Sequence, residues 1–135
     1  MKDLIVPEVI STYPQTQAIY LFGSHANATQ NSGSDIDIAV LLPPDLSKTC
    51  GNISFSNLRF LLEAKLKSGV DLINIRLVST VFKKEIICNG ERIFCASETE
   101  ADTFEMLTIS YYCKLNEERK EILDEFLSTK RAYAV

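Results

Sequence analysis

The chain has 135 residues, 46% of them hydrophobic and 24% charged, with a formal net charge of −4, the profile of one soluble globular domain that buries about two-thirds of its unfolded surface. The acidic balance excludes the broad basic footprint of non-specific nucleic-acid binding, and no local basic patch precedes the scattered lysines of the second half. No apolar run approaches the ~20 residues of a membrane span. The opening MKDLIVPEVISTYP is too short in apolar residues, and too interrupted by Asp3 and Glu8, for an export signal, so a cytoplasmic location is expected.

Lys2 to Ser11 carries Leu4, Ile5, Val9 and Ile10 at helical spacing. Pro7 is expected in the first turn of that helix, where its missing N–H is tolerated, and Tyr13-Pro14 stops it. Ala18-Ile19-Tyr20-Leu21-Phe22 predicts a short buried strand ending at Gly23. Residues 25–34 are polar and rich in Gly, Ser and Asn, either a bare loop or a turn or two of helix followed by a loop. Asp35 to Leu42 predicts a second strand closed by Pro43-Pro44, and residues 45–53 a polar loop or helix entry. Ser54 to Lys67 places Phe55, Leu58, Leu61, Leu62 and Leu66 on one helical face, with Ser68-Gly69 as the stop.

The third strand is predicted over Val70 to Ile75, a helix over Thr80 to Cys88, a turn at Asn89-Gly90 and a fourth strand over Arg92 to Cys95. From Thr99 to about Leu127 the pattern is helical again. Phe104, Leu107, Tyr111, Leu115, Ile122 and Phe126 form a stripe, broken near Glu118 and Arg119, where EERKE reads as a solvated face. Such a stripe packs on its own domain or offers a helix-in-groove surface to a partner. Alternating helices and strands indicate an α/β (α+β) domain with one sheet. Residues 1–98 form its core and residues 99–135 a C-terminal helical extension packed on the core or on a partner.

Chemistry concentrates in LFGSHANATQNSGSDIDIAVLL, where ten residues separate Gly23-Ser24 from Asp35-Ile36-Asp37. In a strand, residues i and i+2 share a face, so Asp35 and Asp37 project together while Ile36, Ile38 and Val40 point to the core. Like carboxylates on one face repel unless a cation sits between them, and Mg²⁺ is commonly bound by one or two carboxylates plus phosphate oxygens and waters. Gly23 permits a tight turn and close backbone approach to a ligand, and Ser24 adds a hydroxyl donor suited to phosphate. A third carboxylate, Asp71 in VDLINI, is the candidate ligand of a second metal ion and the candidate to accept, or help to remove, the proton of an attacking hydroxyl. The cysteines Cys50, Cys88, Cys95 and Cys113 form no CxxC pair, and His25 is the single histidine. Zinc-site spacing is therefore absent and reduced thiols are expected.

Gly23, Ser24, Asp35, Asp37 and Asp71, in the contexts IYLFGS, SDIDIAVLL and VDLINI, resemble the minimal nucleotidyltransferase (MNT) domain of the DNA polymerase β-like superfamily, over roughly residues 5–95. The resemblance implies a mixed sheet of about four strands with helices on one face, Mg²⁺ as cofactor, and ATP as donor of a nucleoside monophosphate. It further implies an antitoxin that transfers AMP to a tyrosine of a HEPN ribonuclease toxin. Asp35, Asp37 and Asp71 are then the catalytic and metal-binding residues, and Gly23 and Ser24 grip the nucleotide. His25-Ala26-Asn27-Ala28 departs from the Arg-Ala-Arg-Gly type of sequence common in the family and removes positive charge near the triphosphate. Two other readings stand beside this one: a non-catalytic antitoxin that acts by docking, and a small-molecule nucleotidyltransferase.

Overall fold

The computed structural model of the chain describes residues 2–23, 35–54 and 56–133. Its elements are α1 (Lys2–Thr12), β1 (Ala18–Phe22), β2 (Ile36–Leu41), α2 (Pro44–Cys50), α3 (Asn57–Leu66), β3 (Val70–Asn74), α4 (Thr80–Asn89), β4 (Glu91–Cys95) and α5 (Glu98–Tyr133), with a 3₁₀ turn at Ile75–Leu77 after β3. The strands form one mixed sheet in the order β3-β2-β1-β4. β1 is antiparallel to both β2 and β4, and β2 is parallel to β3. No described helix is long and apolar enough to cross a membrane.

Both faces of this sheet are apolar because both alternating sets of side chains are. Ile19, Leu21, Ile36, Ile38, Val40, Val70 and Leu72 pack against Ile5 and Val9 of α1 and Leu58 and Leu62 of α3. Ala18, Tyr20, Phe22, Ala39, Leu41 and Ile73 pack on the other side against Ile86 of α4 and Ala101 and Phe104 of α5. Helices are expected on one face; the structure covers the second as well. Near-continuous apolar strands such as AIYLF require cover on both sides.

Pro7 lies inside α1, not in its first turn. Ile5 and Val9 on either side of it are both 0% exposed, and burying two such side chains stabilises by about 1.5–3 kcal/mol each. That offsets the ~3 kcal/mol an interior proline costs a helix. The stretch 45–53, open between loop and helix in the sequence, is helical as far as Cys50 because Pro44 occupies the helix start, where no N–H is needed. Phe55 lies outside the described residues.

The 36 residues of α5 form one helix, about 54 Å long at ~1.5 Å per residue. Its buried contacts are Ala101, Phe104 and Thr108, with Thr108 donating its hydroxyl to the Phe104 carbonyl at 2.9 Å. Of the expected stripe, Phe104 is buried while Leu107, Tyr111, Ile122 and Phe126 are exposed. The core touches a narrower line of smaller side chains, one turn apart, near the start of the helix.

Candidate active site

The sheet topology brings Gly23, Asp37 and Asp71 to one end of the strands. Because β1 runs against β2 and β3 runs with it, the end of β1 meets the beginnings of β2 and β3. Asp37 stands opposite Phe22 on β1 and is in register with Asp71 on β3. Their flanking residues Ile36, Ile38, Val70 and Leu72 point into the core beside α1 and α3. Strand alternation therefore turns both aspartates to the opposite face. Adjacent strands lie ~4.8 Å apart. Two carboxylates at that spacing repel by about 1 kcal/mol in bulk water and by several times more near a protein surface.

Gly23 closes against this pair. Its φ of +75° is left-handed, and a Cβ built there would lie 2.0 Å from Oδ2 of Asp37. Only glycine satisfies both the turn and the approach. Asp35 is held separately, one residue before β2. A Cβ on Gly69 would lie 2.3 Å from its Oδ1, and the Ile36 N–H donates to the Gly69 carbonyl at 2.8 Å. The sequence suggests that Gly69 is there to end α3. The left-handed residue at that stop is instead Lys67, with φ 53°, and Gly69 makes room for Asp35. A glycine immediately before a β-branched strand start was the available sign of that role.

Beside Gly23 an open cavity of about 620 Å³ runs along α4, lined by Phe22, Gly23, Ser79, Phe82, Glu85 and Asn89 among others. The rings of Phe22 and Phe82 meet edge-on, 5.9 Å apart, and fix α4 to the end of β1. Ser79 caps α4 by accepting a hydrogen bond from the Phe82 N–H at 3.2 Å. These walls come from a region that the sequence marks only as a helix.

Ser24 and the His25–Ala28 segment lie outside the described residues. Among the described residues, no three His, Cys, Asp or Glu side chains form a group that could hold a metal ion by themselves. The aspartates thus do not make a closed cage. An open set fits Mg²⁺, which takes one or two carboxylates and leaves its remaining positions to substrate phosphates and water. It does not fit zinc, and Cys50, Cys88, Cys95 and Cys113 are all free thiols.

A mixed sheet presenting aspartates in register against a left-handed glycine, beside an open cavity, is an arrangement suited to metal-dependent nucleotidyl transfer. The family model described as Polymerase beta, Nucleotidyltransferase matches residues 6–99, and the chain belongs to this family. It is 37% identical, over 98% of its length and 92% of the relative's, to the protein adenylyltransferase MntA of Shewanella oneidensis. Among solved structures it resembles a chain of a toxin–antitoxin complex with AMP-PNP, at a TM-score of 0.78 and 35% identity, covering 93% of this chain and 98% of that one. It also resembles a chain of the tri-AMPylated Shewanella oneidensis HEPN toxin in complex with MNT antitoxin, at 0.66 and 30%, covering 93% and 95%.

Proposed function

We propose that this nucleotidyltransferase is an antitoxin that transfers AMP from ATP to a hydroxyl, that of a tyrosine, on a cognate HEPN-type ribonuclease toxin in the cytoplasm, and so neutralises it. The observation that carries this reading is the register pair of Asp37 and Asp71 facing the backbone of Gly23. The relatives just described, an adenylyltransferase and antitoxins bound to HEPN toxin, support the acceptor.

In this reading Gly23 and Ser24 grip the phosphates and the cavity along α4 takes the nucleoside. Asp35, Asp37 and Asp71 would share the binding of Mg²⁺ ions, one or two carboxylates to each with substrate phosphates completing the set, and the metal when bound neutralises the charge that builds on the phosphate oxygens. Asp71, the more exposed of the register pair, takes the proton of the incoming hydroxyl. The hydroxyl oxygen forms its bond to the α-phosphorus, the bond from that phosphorus to the bridging oxygen breaks, and pyrophosphate leaves. Positioning and charge neutralisation supply most of the acceleration in such a transfer, so few other catalytic groups are needed.

One observation favours a second reading, neutralisation by docking alone. Ile122, Leu123, Phe126 and Leu127 on α5 are 43–67% exposed, an apolar surface larger than scattered residues would give. In both readings the helical extension after residue 98 is the arm that meets the partner. The readings separate in a neutralisation assay. With transfer as the mechanism, the Asp35→Ala/Asp37→Ala double variant fails to protect cells from the toxin although it still binds it. Full protection by that variant would leave docking as sufficient.

A further inference from the structure

Another cavity, largely apolar but carrying three cationic side chains, lies at the other end of the β2–β3 pair. It measures about 270 Å³, and its lining includes Lys48, Arg76, Thr80, Lys83, Phe104 and Tyr111, with no acidic residue. From Asp37 to Leu41 the strand advances about 13 Å, so this cavity is separate from the aspartates.

The Arg76 guanidinium is fixed within it. Its Nε donates to the Leu42 carbonyl, and its Nη2 donates to Gln17 Oε1 at 2.7 Å. The Phe104 ring centre lies 5.3 Å from the guanidinium carbon, and Lys83 Nζ lies 5.9 Å from the same ring. Among the described residues, none of Lys48, Arg76 and Lys83 forms an ion pair. Burial, then the charge of Arg76, pushes the Lys83 ammonium below its ordinary value, as expected of a cation lacking a counter-charge. Glu100 acts on Arg76 electrostatically but does not line the cavity. Thr80 opens α4, whose amide dipoles add positive potential at the same place.

We propose that this cavity binds a small phosphate-bearing anion, with the phosphate between Arg76 and Lys83 and any organic part against Phe104 and Tyr111. A guanidinium held by two hydrogen bonds, beside a partly desolvated ammonium in an acid-free hollow, suits a phosphate, and arginine matches its geometry. The volume is at the lower end for ligand pockets, which fits a monophosphate and is small for a triphosphate nucleotide.

The test is an amide-resolved NMR titration of the full chain with inorganic phosphate and, separately, with AMP, at constant ionic strength set by chloride. The expected result is saturable shifts at Arg76, Thr80, Lys83 and Phe104, retained in Asp37→Asn and weakened at least tenfold in Lys48→Ala/Lys83→Ala. A response to phosphate alone identifies the free ion as sufficient; a response to AMP only shows that the organic part is read as well. Absence of saturable shifts there, shifts confined to the surroundings of Gly23 and Asp71, or unchanged affinity in the lysine variant would overturn the proposal.

Discussion

β2 and β3 lie side by side over their whole length, yet their two ends carry opposite chemistry. At their beginnings, Asp37 and Asp71 face each other across the pair and meet the bare backbone of Gly23. Beyond their other ends, Arg76 and Lys83 share the Phe104 ring with no carboxylate in the lining. Between them the strands are uniformly buried. The sheet core thus holds an acidic cluster and a basic cluster apart at opposite ends of one strand pair. α4 connects them, with Thr80 and Lys83 lining the cationic cavity and Glu85 and Asn89 lining the one beside Gly23.

The largest expected effect breaks the carboxylate end. Asp37→Asn removes one of the two carboxylates in register at the ends of β2 and β3 while keeping the side-chain shape, so AMP transfer falls by at least about a hundredfold and the protein still folds, as circular dichroism reads. Gly23→Ala follows. It forces a Cβ onto the Asp37 carboxylate and demands a left-handed backbone of an L side chain, at about 1–2 kcal/mol. Stability and transfer should fall together, in thermal melts and in a transfer assay. Paired changes Ile122→Ser and Phe126→Ser on α5 should leave both ends intact and the melting point unchanged, yet weaken toxin binding by tenfold or more, as loss of apolar anchors does; calorimetry reads this. The smallest effect tests the connection. Ser79→Ala removes the α4 cap at about 1 kcal/mol, lowering the melting point by a few degrees without abolishing transfer.

The carboxylate end was legible in the sequence because its information is local. Period-two alternation places Asp37, a short apolar run ends at Gly23, and Asp71 sits in a plain strand. The cationic end was not, because Arg76 is set by Leu42 and Gln17, 34 and 59 residues away in the chain, and no spacing rule links them. Tertiary packing likewise overrode local preference at Pro7, where Ile5 and Val9 keep the helix going. On α5 the sequence places the apolar residues but not the phase at which the helix meets the sheet, so Leu107 and Tyr111 fall outside the buried line. The sequence reads Gly69 as the stop of α3; the space it leaves for Asp35 depends on two segments far apart in the chain.

The most direct test is the intact mass of the cognate HEPN toxin after incubation with this protein, ATP and Mg²⁺. The account predicts that the wild-type protein shifts the toxin by whole AMP increments, localised to tyrosine, and that Asp37→Asn gives no shift although it still binds the toxin. A toxin neutralised with its mass unchanged, or an equal shift with Asp37→Asn, would contradict it.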